Sequence, residues 1–108
     1  MNINNYLQVQ TTADSKESAE KLARLILGSK LAACVQITAK VKSLYWWKDK
    51  IDESEEFMLL IKTSKNKFAE LEKFIKKNHN YETPEIIATD ITEGSDEYLA
   101  WLKENIEE

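Results

Sequence analysis

Residues 33–63 read ACVQITAKVKSLYWWKDKIDESEEFMLLIKT, and the fold turns on them. The stretch holds two strand-length runs, 33–48 and 55–63, on either side of a Lys48-Asp49-Lys50 hairpin tip. In the first run Val35, Ile37, Val41, Tyr45 and Trp47 are expected on one face. In the second, Phe57, Leu59 and Ile61 alternate with Met58, Leu60 and Lys62. A strand over residues 33–47 would run about 50 Å at roughly 3.4 Å per residue. A domain of this size has a radius of gyration of only about 13 Å. The far end of the hairpin therefore bends sharply or projects beyond the core of its own chain. That end carries Leu44, Tyr45, Trp46 and Trp47, so alternation puts large apolar groups on both faces. Such a patch usually marks an interface, and pairing with a neighbour's sheet edge satisfies an otherwise marginal ribbon. A strand bent by a bulge, its aromatics folded back onto the same subunit, is the alternative. No glycine or proline occurs between Gly28 and Pro84 to help a bend, so projection is expected, with Leu44, Tyr45, Trp46 and Trp47 at a subunit interface.

Outward from the hairpin, the flanking elements fall into order. Residues 6–12 alternate, Leu7 and Val9 against Gln8 and Gln10, as a strand does. Asp14 reads as an N-cap with Glu17 completing a capping box. Ala19, Leu22, Ala23 and Ile26 follow at helical spacing, and Gly28 ends that helix. Ser64 reads as the cap of a helix whose buried stripe is Phe68, Leu71 and Ile75 and whose last turn carries Lys76 and Lys77. Residues 86–92 form a fourth strand. Ser95 caps a final helix that turns Leu99, Leu102 and Ile106 inward. The order is βαββαβ plus a C-terminal helix, the α+β, ferredoxin-like split βαβ pattern. Helices are expected on one face of a four-stranded antiparallel sheet.

The chain of 108 residues fits a single domain over 1–108. With 43% hydrophobic and 31% charged residues it has an ordinary globular balance, which argues against disorder. A net charge of −4 argues against nucleic acid or an anionic membrane as partner. One cysteine excludes an internal disulfide and agrees with a reducing compartment. Residues 1–12 show no secretory pattern and no apolar run reaches the roughly 20 residues of a membrane helix. The resulting expectation is a cytoplasmic protein with no membrane partner, and an acidic end, residues 104–108, that frays.

Several of these residues also resemble one known family. Leu31-Ala32-Ala33-Cys34, Ser43-Leu44-Tyr45-Trp46-Trp47, Lys62-Thr63, and the run His79-Asn80-Tyr81-Glu82-Thr83-Pro84-Glu85-Ile86 are similar to the CutA-type divalent-cation-tolerance proteins. So are Gly94, Tyr98, Leu99 and Trp101, and the matches follow in order from Leu31 to Trp101. The resemblance implies a ferredoxin-like fold and a homotrimer in which long hairpins reach across subunits. It implies a response to divalent metals, notably copper, and no agreed catalytic activity. It also resembles the PII-type trimers, which hold small ligands between subunits. The chain departs from the family where Asp49 stands for a glycine, a tolerable exchange in a left-handed turn. It departs again at His79-Asn80-Tyr81, where the family has His-Pro-Tyr.

Candidate ligands are few. Copper favours imidazole and thiolate or thioether donors, and the chain offers one histidine, His79, and one cysteine, Cys34. One subunit cannot close a His/Cys site; three copies, or His79 with Glu82 or Glu85 and water, are the ways to build one for Cu(II) or another divalent cation. Bacterial members with a cysteine ending strand one and a histidine pair before the Pro-Tyr correspond here to Thr11 and Asn78-His79, which retains one ligand of three. His79 also reads as a cationic helix end, and Cys34 as a small buried hydrophobe. Lys62, Thr63, Tyr81, Glu82 and Glu85 read as an inter-subunit pocket for a small ligand, or as the dock that seals a loop. Trp101 floors such a pocket or belongs to the core.

Other users of the fold do not match. Thr11-Thr12-Ala13-Asp14 lacks the arginine and glycines of an acylphosphatase and the Cys-x-x-Cys of a metallochaperone. Glu55-Glu56-Phe57-Met58 is too acidic for an RNA-recognition strand. No Ser/His/Asp set, phosphate loop or paired carboxylates stand out, so the chain reads as no enzyme. Three roles remain: a trimeric metal-responsive protein with weak copper binding, a PII-like small-ligand sensor, or a protein-assembly module.

Overall fold

The computed structural model describes residues 5–106. β1 (Tyr6–Ala13) leads into α1 (Lys16–Gly28). β2 (Cys34–Ile37), β3 (Val41–Trp47) and β4 (Lys50–Ser64) make the central hairpin. α2 (Phe68–Asn78), β5 (Ile87–Asp90) and α3 (Asp96–Ile106) complete the order. All pairings are antiparallel and give the strand order β2-β4-β1-β5, with β3 paired to β4 off this path. The ferredoxin-like α+β reading holds, with one strand divided.

That division follows from a bulge. Ile37 pairs with Leu59, and Val41 pairs with Glu56. Four residue steps on one strand thus oppose three on the other, which leaves one residue extra and turns every later side chain to the opposite face. Val35 and Ile37 pack in the core, whereas Val41, Tyr45 and Trp47 continue the other face. The single face expected for all five residues is therefore wrong. No glycine makes the bend. Thr38 does: its amide donates to the Met58 carbonyl at 2.9 Å, and its hydroxyl accepts the Met58 amide at 3.0 Å and donates to the Ala39 carbonyl at 2.8 Å. A side chain thereby replaces the ladder partner that the bulge removes.

Beyond the bulge the ribbon projects. The described residues measure 46 × 25 × 24 Å with a radius of gyration of 14.6 Å, against about 13 Å for a compact chain of this length. Leu44, Tyr45, Trp46, Trp47 and Ile51 are exposed, Trp46 at 73%. The aromatics do not fold back onto their own subunit. Lys40 with Glu55, 3.4 Å apart, and Lys42 with Glu53, 3.9 Å apart, lace the ribbon's other polar positions.

The core lies on the odd-numbered face. Leu7, Val9 and Ala13 of β1 and Leu59 and Ile61 of β4 meet Ala19, Leu22, Ala23 and Ile26 of α1 and Leu71 and Ile75 of α2. α3 differs: Leu99, Leu102 and Ile106 pack on Tyr6, an even-numbered residue, and so cover the opposite face at one end. Helices on one face only is thus an expectation that α3 breaks. The rest of that face stays open, with Gln8 opposite Lys62 and Thr89, Gln10 opposite Leu60 and Ile87, and Gln36 opposite Leu60.

Helix ends correct the sequence in detail. Ser15, not Asp14, caps α1, its hydroxyl accepting the Ser18 amide at 3.0 Å. Asp14 instead accepts the Ser18 hydroxyl at 2.7 Å. α1 ends at Gly28 as expected, yet the left-handed residue is Lys30, with φ 60°. Ser64 precedes a 3-10 turn, Lys65–Lys67, and bonds the Asn66 side chain instead of capping α2. Ser95 does cap α3, accepting the Tyr98 amide at 3.2 Å. α3 runs through Ile106, which is buried, so the expected fraying does not begin at 104; residues 107–108 lie outside the described residues.

Candidate functional site

At the root of the ribbon, one pair past the bulge, β4 carries a glutamate into an apolar row. Glu56 shares the open face with Met58 and Leu60 and is only 8% exposed. Its Oε2 accepts the Thr12 hydroxyl at 3.1 Å and the Tyr81 hydroxyl at 2.8 Å. Tyr81 comes from the loop after α2, and His79 positions it. His79 Nδ1 accepts the Tyr81 amide at 3.0 Å, and Nε2 lies 2.6 Å from the Thr12 carbonyl. A carbonyl only accepts and an amide only donates, so these partners assign the neutral ring with its proton on Nε2. The two rings lie 4.7 Å apart. Asp14 closes the loop, accepting from Asn80 at 3.4 Å. Burial, then the hydrogen bond to Glu56 and its charge, push the Tyr81 phenol far above the ordinary tyrosine range, with Asp14 and Tyr45 adding to it. Tyr81 therefore keeps its proton at neutral pH and donates it to Glu56.

Glu56 and Thr12 were no part of the pocket read from sequence. The signal was present: a carboxylate on the same alternating face as Met58 and Leu60 has to be held by something. Of the residues that were singled out, the structure separates several. Thr63 is fully buried on the core face, donating to the Leu31 carbonyl at 2.7 Å. Lys62, on the open face, donates to the Gln36 side chain and lies 6.0 Å from the Tyr98 ring centre. Glu85 accepts from Gln10 at 3.0 Å, and Glu82 is exposed. Lys62 and Glu56 stand six residues apart on β4, about 20 Å at roughly 3.4 Å per residue. Lys62, Tyr81, Glu82 and Glu85 thus spread along the open face and its rim and do not meet within one chain.

The second end of that face holds Cys34, Tyr98 and Trp101. Cys34 is half-buried and opposite Lys62. Burial, then the Cys34 thiol beside it, raises the Tyr98 phenol. Trp101 is neither core nor pocket floor within the chain: it is exposed and stacks on Tyr98 at 5.6 Å.

A metal fits this donor set poorly. Both ring nitrogens of His79 are engaged, so an ion would have to displace a hydrogen bond that positions Tyr81. Cys34 pairs with Lys62 and Thr12, which holds His79, pairs with Met58, which sets the thiol and the imidazole at opposite parts of β4. Among the described residues no group of three or more His, Cys, Asp and Glu side chains converges. The cavity beside His79, lined by Asp14, Ser18 and Asn80, is about 20 Å³, room for one water and no organic ligand. Among the described residues no helix is long and apolar enough to cross a membrane.

Comparison with known proteins identifies the family. Residues 7–105 match the family model of the CutA1 divalent ion tolerance protein. The divalent-cation tolerance protein CutA of Archaeoglobus fulgidus is 43% identical over 99 residues, 92% of this chain and 96% of that one. A chloroplastic rice protein, CutA 1, is 41% identical over 100 residues, 93% of this chain and 56% of the relative. A structure described as the periplasmic divalent cation tolerance protein CutA from Archaeoglobus fulgidus superposes with a TM-score of 0.92 at 42% identity, covering 94% of this chain and 99% of that one. These relatives overturn the cytoplasmic expectation, since one is described as periplasmic and one as chloroplastic. The expectation rested on the lack of a leader pattern in residues 1–12, and four of those residues lie outside the described ones. The fold, the hairpin and the match over 7–105 place this chain in the CutA1 divalent ion tolerance family.

Proposed function

We propose that the protein is a homotrimeric member of this family that supports divalent-cation tolerance as a binding and assembly protein, without turnover of its own. The observation that carries this reading is the projecting ribbon, on which Leu44, Tyr45, Trp46, Trp47 and Ile51 are all exposed. Large apolar groups on both faces of a thin ribbon are stable only when covered. The open sheet face and the outer edges of β2 and β5, unpaired among the described residues, offer the surface to cover them. In such an assembly Lys62, Tyr81, Glu82 and Glu85, apart within one chain, line a cleft between subunits. Trp46→Ala tests the interface. A residue 73% exposed in a monomer changes stability by about 0.5 kcal/mol or less when truncated. At a buried interface the same change costs about 2 kcal/mol or more and weakens association roughly 30-fold. Light scattering across a dilution series separates the two; an unchanged association constant would sink the proposal.

Copper(II) is expected to bind weakly and at the surface, because His79 is committed to Thr12 and Tyr81 and Cys34 to the Tyr98 end. Copper titration of the wild type and of His79→Ala checks this. Tight stoichiometric uptake lost in His79→Ala would show that the ring gives up its hydrogen bonds for the metal.

A further inference from the structure

Glu56 is the one glutamate that physical chemistry would least expect to find without a cation. Its ribbon neighbours Glu53 and Glu55 are exposed, and each has a lysine within 4.0 Å. Glu56 is nearly buried, and among the described residues no lysine, arginine or histidine lies within that distance of its carboxylate. Glutamates are almost never buried unless paired, and a buried charge without a counter-charge is costly. Two hydroxyls fill Oε2. Oε1 accepts no hydrogen bond from the described residues, and it is not among the unpartnered atoms that are wholly sealed from solvent. The surroundings are all acceptor-rich: the Tyr81 oxygen has lone pairs to spare, and Asp14 lies near enough to raise the Tyr81 phenol. Nothing there would attract an anion. A divalent ion asks for six or more oxygens, and no such cluster of carboxylates forms here.

We propose that Glu56 Oε1, with the Tyr81 oxygen beside it, is a receptor for a cationic N–H donor, an ammonium or guanidinium group, at the root of the ribbon. Charge-assisted hydrogen bonds to a carboxylate in a partly desolvated frame are the strong kind. Thr12 and Tyr81 pre-order Oε2, so the free oxygen is fixed before the cation arrives. The donor has two sources with the same chemistry: a small basic molecule, or a lysine or arginine of another copy of the chain. Only the second source rests on the trimeric reading above.

The test is a titration of the full chain with methylguanidinium chloride, with tetramethylammonium chloride as a control of equal charge and no N–H. Binding is followed by NMR, and the association state by ultracentrifugation of the same samples. If a small cation is the ligand, methylguanidinium binds, tetramethylammonium does not, and E56Q weakens binding roughly tenfold or more. If a neighbouring subunit supplies the donor, methylguanidinium does not bind, and E56Q weakens association by that factor instead. Thr12→Val removes one of the two donors that pre-order Oε2 and should weaken either response, by less than E56Q does; Glu56→Asp replaces E56Q if the amide variant does not fold, and should show a partial loss. An E56Q protein that is folded, binds methylguanidinium like the wild type and associates like it overturns the proposal. A monomeric protein that still binds methylguanidinium through Glu56 would refute the trimer and leave this site standing.

Discussion

The tip of the ribbon is the place where a single substitution reads the backbone most directly. Lys48 and Asp49 both have left-handed backbone, with φ of 50° and 65°, between the paired residues Trp47 and Lys50. Positive φ at both central residues is the type I′ hairpin turn, whose twist suits the strands and whose preferred sequence is Asn-Gly. An ordinary residue in this conformation gives up about 1–2 kcal/mol, and aspartate lies at the low end of that range. Asp49→Gly removes the strain, while the freer unfolded glycine returns about 0.5 kcal/mol; the net gain is about 0.5–1 kcal/mol. Asp49→Val puts a β-branched residue at φ 65° and should cost about 2 kcal/mol or more. The difference between the two variants, close to 3 kcal/mol, is the quantity to measure. Urea unfolding at one fixed protein concentration is the assay, since association makes apparent stability concentration-dependent. Equal stabilities for the glycine and valine variants would mean that the tip is not left-handed and that the ribbon closes differently.

Other outcomes follow from the same geometry. Tyr81→Phe loses a 2.8 Å hydrogen bond to a carboxylate and should destabilise the protein by about 1–2 kcal/mol near neutrality, measured by thermal melting. Because the folded phenol is raised, its contribution is complete below the ordinary tyrosine range and is lost as pH climbs above about 10, so the gap between wild type and Tyr81→Phe should narrow there. Thr11 is fully buried with no partner for its hydroxyl among the described residues, so Thr11→Val should stabilise by about 1 kcal/mol in the same melt; a loss instead would reveal a bound water. Thr38→Val removes the hydroxyl that stands in at the bulge and should cost about 1–2 kcal/mol, whereas Thr38→Ser should be close to neutral in chemical unfolding.

Much of this architecture was legible because apolar periodicity reports faces directly. Leu7 and Val9, Leu59 and Ile61, and the Leu71 and Ile75 stripe all lie where alternation or helical spacing puts them. Ser95 was readable as a cap because cap chemistry is local. The bulge was not readable, since its agent is a threonine hydroxyl answering an amide twenty residues away, and one extra residue reverses the face of everything after it. The place of α3 was missed for a similar reason: its partner, Tyr6, is the even-numbered exception on a strand whose odd residues form the core. At the site, the loop residues His79 and Tyr81 were noticed, but their partners Thr12 and Glu56 lie 67 and 25 positions away in sequence. Cellular address was the part least legible, because relatives of one fold occupy different compartments.

The proposed trimer depends on the ribbon's need for a cover. Native mass spectrometry of the unmodified protein at low micromolar concentration tests it most directly. The predicted result is a single species at three times the 12.5 kDa of the chain, persisting on dilution. A species at the mass of one chain, with Trp46 as reactive to solvent as free tryptophan, would contradict it.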